Sequence, residues 1–281
     1  MHSRRRVLKL GAGALAARLA LAKKSGLKIG IVDWNLNQTA KLEAVALASK
    51  LGFDGVQVSL GAKAADGKLP LDNSELEAQY IASSKQRNVQ IDSTCLDILH
   101  VNHLKDDKLA PKWVSDGIRV TRALKTEVML LPFFGKGGLK TSQEMDYVGD
   151  ALRELAPEAE KAGVILGIED TISAEDNAHI LDRARSKAVQ VYYDVGEAHL
   201  AGFDVIKEIR WLGVKRICQF HLKDDPHYLG EGAIDFPAVL HTIESIGYRG
   251  YANLETDIDS KTPEPNLRRN LAFVRKLLEQ G

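Results

Sequence analysis

Beyond Lys28 the chain alternates between short apolar runs rich in β-branched residues and longer amphipathic stretches. A short apolar run bounded by turn residues reads as a buried strand, and apolar positions recurring every three to four residues read as a helix. On that pattern strands are expected at 28–32, 55–59, 89–94, 127–131, 164–168, 189–194, 215–222 and 250–255. Helices are expected at 39–51, 73–87, 111–125, 142–162, 174–186, 203–211, 235–246 and 264–279. In the first helix Leu42, Val45, Ala46 and Ser49 are expected to line one face, and Gly52 to end it. Pro111 and Pro263 fall where first helical turns are expected, positions that tolerate a missing N–H.

One short pattern recurs. Leu51-Gly52-Phe53-Asp54-Gly55-Val56 parallels Ile246-Gly247-Tyr248-Arg249-Gly250-Tyr251, and Lys161-Ala162-Gly163-Val164 is a shorter version. Each reads as a helix stop, a glycine able to take positive φ, and a buried strand. A strand–helix unit repeated eight times implies parallel strands joined by right-handed crossovers. The count of eight favours closure, so the expected fold is α/β, a single (β/α)8 or TIM barrel over residues 26–281. An open doubly wound sheet is the alternative, weakened by the lack of a G-x-G-x-x-G after the first strand.

Lys+Arg and Asp+Glu both number 38, so the chain has no bulk pull toward nucleic acid or anionic membrane. Cys95 and Cys218 are the only cysteines, fall on separate expected strands, and read as buried, inert thiols. The first 22 residues are of another kind. Ser3-Arg4-Arg5-Arg6-Val7-Leu8-Lys9 resembles a twin-arginine export motif, and Ala20-Leu21-Ala22 a signal peptidase site. The apolar stretch between them is too short to span a bilayer, so no stable membrane anchor is expected after cleavage. Export to the periplasm is the expectation. A basic N-terminal helix on a cytoplasmic protein is the alternative, and Arg18, which interrupts the apolar stretch, speaks for it.

In a barrel of this kind the chemistry sits at the C-terminal ends of the strands. The fifth expected strand runs into Glu169, the sixth ends in Asp194, the seventh carries His221 next to its last residue and the eighth ends in Glu255. One acidic residue at a strand end is commonly a helix cap or a solvated loop residue. Four metal-capable side chains at four successive strand ends point instead to one divalent cation. Carboxylates with one imidazole suit Mn²⁺, Mg²⁺ or Co²⁺, and Zn²⁺ also fits. Three clustered carboxylates would repel one another without such a cation.

Several motifs carry a resemblance: Gly-Ile-Glu-Asp at 167–170, Tyr-Asp-Val-Gly at 193–196, Phe-His-Leu-Lys-Asp at 220–224, Leu-Gly-Glu-Gly-Ala-Ile-Asp-Phe at 229–236 and Asn-Leu-Glu at 253–255. They resemble the xylose isomerase-like TIM barrel superfamily, and most closely its sugar phosphate isomerase/epimerase members. The resemblance implies one metal held by Glu169, Asp194, His221 and Glu255, with Glu169 and Glu255 as the catalytic acid/base pair. The chemistry is consistent. Proton transfer beside a carbonyl needs an enediolate stabilised by a Lewis acid, with bases on both faces of the carbon for epimerisation. Two positions depart from the ketose 3-epimerase pattern. Glu197 stands where a substrate-contacting histidine is usual, with His199 nearby, and His227 stands where an arginine is usual.

Further residues are candidates for the substrate pocket. Trp34 can stack on a sugar face or simply pack. His100 and His103 follow the third strand and can line the pocket or lie in solvent. Lys223, in phase with His221, can polarise a substrate oxygen or pair with Asp194 or Asp224. Asp224 can orient His221 from behind. Glu231 can reach sugar hydroxyls or His227, or sit in a surface turn. Phe133 and Phe134 can form an apolar wall, and Gly135-Lys136-Gly137-Gly138 a weak anion cradle. The expected partner is a small sugar-like molecule, with a homo-oligomer left open.

The main competing reading is a dehydratase of the same superfamily, of the inosose or dehydroshikimate type, using the same metal and proton abstraction before loss of water. An endonuclease IV-like DNA-repair enzyme would need further histidine ligands and a basic rim, and Glu197 stands in place of one such histidine. A non-catalytic sugar-binding barrel is disfavoured by the intact four-ligand set.

Overall fold

The computed structural model describes residues 26–256 and 263–280, and the expected export segment, residues 1–22, lies outside them. Eight strands close in chain order, each parallel to the next: β1 (Lys28–Val32), β2 (Gly55–Ser59), β3 (Gln90–Cys95), β4 (Val128–Pro132), β5 (Ile165–Glu169), β6 (Val189–Asp194), β7 (Ile217–Leu222) and β8 (Tyr251–Leu254). Closure is made by β1 pairing with β8, Lys28 opposite Tyr251. The helices are α1 (Glu43–Leu51), α2 (Ser74–Arg87), α3 (Ala110–Ala123), α4 (Ser142–Ala162), α5 (Ala174–Ala184), α6 (Val195–Leu200), α7 (Val205–Leu212), α8 (Phe236–Ser245) and α9 (Pro263–Gln280). The expected single (β/α)8 barrel is the observed one. No described helix is long and apolar enough to cross a membrane.

Two layers of packing hold it. Strand residues pointing outward, such as Leu166 and Ile168, join the helices in one large core. Cys95, Val128, Leu130 and Tyr192 form a smaller apolar cluster, with Trp34 and Cys218 against it. Below the mouth the interior is polar. Asp92 Oδ1 accepts from Asn253 Nδ2 at 2.8 Å, Gln219 Nε2 at 2.9 Å and Ser93 Oγ at 2.8 Å. Gly30 and Gly55 make room for this network, since a Cβ on either would overlap the Asp92 carboxylate. Burial pushes the Asp92 carboxyl up to about 6 against these hydrogen bonds.

Local chemistry explains where the elements differ from expectation. α1 begins at Glu43, four residues late, because residues 34–40 form turns tied to Asp33. Asp33 Oδ2 accepts from the Ala40 and Ser59 backbone N–H groups, both at 2.9 Å. Asn37 and Ala40 take positive φ, which a helix cannot continue through. The buried face of α1 is Ala44, Val45, Ala48 and Leu51, so of the face expected from sequence only Val45 is fully buried. Gly52 does end α1, at φ 91°. α6 was not expected. Asp194 creates it by capping the Gly196 and Glu197 N–H groups.

Candidate active site

The strand ends bring Glu169, Asp194, His221 and Glu255 together at the C-terminal mouth, with one ligand atom from each lying within 4.8 Å of the others. Cross-strand register does part of this, since Asp194 and His221 are direct partners between β6 and β7. Glu255 extends the ladder one residue past β8, its N–H donating to Leu222 O at 3.1 Å. His221 Nδ1 sits 2.6 Å from Glu169 Oε1, 3.4 Å from Glu255 Oε2 and 3.8 Å from Asp194 Oδ2. Its Nε2 points the other way, 2.8 Å from Gln57 Oε1. Gln57, buried mid-strand in β2, therefore takes the partner role that the sequence suggested for Asp224.

The set fits a divalent cation on its own evidence. Asp194 Oδ1 accepts from Gly196 N at 2.6 Å and Glu197 N at 2.9 Å, while Oδ2 is buried with no hydrogen-bond partner. A buried carboxylate oxygen without a partner is costly unless a cation meets it. Burial raises the Asp194 and Glu169 carboxyls, and repulsion from the neighbouring carboxylates adds to it. Burial disfavours the His221 cation, but Glu169 and Glu255 outweigh it and hold its pKa up at about 9. Burial likewise opposes the Glu255 carboxylate, yet His221 and Lys223 hold it below the usual range.

A cavity of about 350 Å³ opens above the cluster. Glu169 and Glu255 line it, whereas Asp194 and His221 lie beneath, their side chains 1% and 0% exposed. Trp34 lines it too and donates from Nε1 to Glu255 Oε1 at 3.0 Å, so it holds the carboxylate as well as offering a ring. Lys223 Nζ lies 2.9 Å from Glu197 Oε1 and 3.5 Å from Glu255 Oε2; its partners are these, and not the expected Asp194 or Asp224. Pro132 and Phe134 form the apolar side, with His100 stacked on Phe134 at 6.5 Å between centroids.

Other candidates stand elsewhere. Asp224 Oδ2 accepts from the Gly230 and Gly232 N–H groups at 3.1 and 3.0 Å, so it shapes the loop before α8 and does not orient His221. That loop turns outward. His227 and Glu231 are exposed, and Glu231 pairs with Arg269 of α9 in place of a substrate or His227. His199 is half-buried on α6 and does not line the cavity. His103 pairs with Asp106 at 3.5 Å. Gly137 packs against the His103 ring, and neither it nor Lys136 reaches the cavity. Phe133 is core. Cys218 is half-buried rather than buried, and Cys95 lines the cavity.

Two residues at the site were not read from the sequence: Gln57, buried behind His221, and Asp97, which lines the cavity. Gln57 lies inside an apolar run. Asp97 follows β3 by two residues on a 3-10 turn, Asp97–His100, and end-of-strand reasoning applied to that loop would have found it.

The fold and site define a class: a closed (β/α)8 barrel with a carboxylate–imidazole cluster, of a kind that could hold a metal ion, under a mouth cavity. Within that class the chain belongs to the xylose isomerase-like TIM barrel family, whose model matches residues 45–277. An uncharacterized protein of Methanocaldococcus jannaschii is 28% identical over 130 residues, 41% of this chain and 44% of that protein, so the match spans less than half the relative's length. The fold is shared with 3-keto-D-glucoside 4-epimerase from E. coli, in its apo form, at TM-score 0.69 and 19% identity over 89% of this chain and 99% of that one. It is shared also with D-psicose 3-epimerase from Clostridium cellulolyticum H10, at TM-score 0.75 and 16% identity over 89% and 99%.

Proposed function

We propose that this chain is a divalent-metal-dependent isomerase or epimerase of a sugar or related keto-polyol. The observation that carries the reading is the convergence of Glu169, Asp194, His221 and Glu255 on one point beneath a cavity. The epimerase activities in the names of the two structural neighbours agree with it. A divalent ion held by the four side chains would supply Lewis acidity to a carbonyl and its neighbouring hydroxyl.

The protein's own groups do the rest. Glu169 and Glu255 stand on strands three apart in the ring and both face the cavity, so they can address opposite sides of one carbon. One carboxylate removes the proton beside the carbonyl, and the other returns a proton to the opposite face. A placed acid or base contributes about 10²–10⁴-fold. Trp34 and Lys223 hold Glu255 in position through the contacts already described. Asp194 and His221, closed off from the cavity, serve as ligands only.

The test is incubation of Mn²⁺-loaded protein with a panel of keto-sugars in D₂O. Deuterium should enter one carbon of one class of sugar, and Glu255→Gln should abolish entry while the metal stays bound. Full turnover by metal-loaded Glu255→Gln would remove the acid/base role. Loss of water from the substrate mass would point to a dehydratase.

A further inference from the structure

Asp92 lies below the mouth, and its hydrogen bonds are lopsided. Its Oδ1 accepts from Ser93 Oγ at 2.8 Å, Gln219 Nε2 at 2.9 Å and Asn253 Nδ2 at 2.8 Å. Its Oδ2 is buried and has no partner among the described residues, and neither has the buried Asn253 Oδ1. The two unpartnered oxygens face the same place. Both lie against the spot where a Cβ on Gly30 would stand, and Gly30 is the β1 partner of Asn253. Two acceptors turned toward one spot in a dry interior repel, and each forgoes a hydrogen bond. A proton on Asp92 Oδ2 removes both penalties. The acid hydroxyl then donates to Asn253 Oδ1, while Asp92 Oδ1 goes on accepting from Asn253 Nδ2.

The electrostatics agree with that arrangement. Burial, the largest influence, holds the Asp92 carboxyl up at about 6 against its three donors and the His221 cation. A bond donated by the acid form raises it further. The other titratable groups facing it are Tyr192, Tyr248 and Tyr251, whose hydroxyls burial keeps un-ionised.

The donors that Asp92 collects stand directly beneath two of the candidate metal ligands. Gln219 precedes His221 by two residues on β7, and Asn253 precedes Glu255 by two at the end of β8. Residues two apart on a strand point to the same face. Asn253 and His221 are also direct partners between β8 and β7. One side chain from β3 therefore ties together the two strands that deliver His221 and Glu255.

Resting on the metal-site reading above, we infer that Asp92 is a positioning residue: as a neutral acid paired with Asn253 and bonded to Gln219, it fixes the strands that carry His221 and Glu255, and with them the geometry of the metal site.

The experiment combines infrared spectroscopy with Mn²⁺ titration of the full chain. At pH 7 the spectrum of the metal-free parent minus that of Asp92→Asn should contain a protonated-carboxyl band. Asp92→Asn mimics the neutral acid, its amide accepting on one side and donating to Asn253 Oδ1 on the other. Its Mn²⁺ affinity should stay within about twofold of the parent. Asp92→Ala removes the hub, and affinity should fall by about 10–100-fold in the folded variant. Where Asp92→Ala does not fold, Gln219→Met cuts the link to β7 alone and should lower affinity by about 10-fold. A difference spectrum without the band overturns the inference. So does an Asp92→Asn variant as weak for Mn²⁺ as Asp92→Ala, or unchanged affinity in folded Asp92→Ala or Gln219→Met. The band is read without metal or substrate. A parent that shows it but takes up no deuterium would remove the isomerase reading and leave the acid–amide pair standing.

Discussion

His221 Nε2 lies 2.8 Å from the side-chain oxygen of Gln57, and that contact fixes which ring nitrogen faces Glu169, Asp194 and Glu255. Groups behind a metal-binding imidazole set its tautomer and orientation. Gln57→Leu should therefore lower metal affinity by about 10–100-fold with the fold retained. Calorimetric titration with Mn²⁺, alongside circular dichroism, checks this. Unchanged affinity in a folded variant would contradict it.

Asp224 makes the opposite prediction. Its carboxylate accepts two backbone N–H groups of the loop before α8 and none from His221. Asp224→Ala should cost about 1–3 kcal/mol of stability, since it removes two partly buried hydrogen bonds to a charged acceptor. Metal affinity should stay within about twofold of the parent. A loss of metal like that of Gln57→Leu would restore Asp224 to the role suggested by its place in the sequence.

Asp33 gives the pH dependence. Burial, the largest influence, pushes its carboxyl up to about 8, against the backbone N–H groups of Ser59 and Ala40, which pull it down. In the unfolded chain the group ionises near its ordinary value of 3.8. Between these limits the folded state binds the extra proton, so stability falls as pH rises from about 4 toward about 8. The slope from this one group reaches at most about 1.4 kcal/mol per pH unit. Asp33→Asn keeps an acceptor for both N–H groups and removes the titration. Urea unfolding from pH 5 to pH 8 should show the parent losing stability relative to Asp33→Asn. Parallel stability curves would contradict the assignment.

The strand ends were legible because a closed parallel barrel places one kind of position, the residues at or next to the end of each strand, at a single mouth. Glu169, Asp194, His221 and Glu255 were each found that way. Gln57, Asp92 and Asn253 were not, because a polar residue in mid-strand breaks an apolar run without showing whether it faces inward or outward. Loop residues were the least legible. His227 and Glu231 follow a catalytic-side strand, yet the loop is drawn outward by Asp224 and by α9, with Arg269 over the Tyr228 ring and paired to Glu231. Asp97 was passed over for the histidines that follow it, although it stands nearer the end of β3 than they do.

Elemental analysis of the purified protein decides whether Glu169, Asp194, His221 and Glu255 share one cation. About one equivalent of divalent metal per chain is expected after loading and desalting, and its loss in Asp194→Ala and His221→Ala variants that remain folded. No metal retained by the parent, or full retention by both variants, would contradict it.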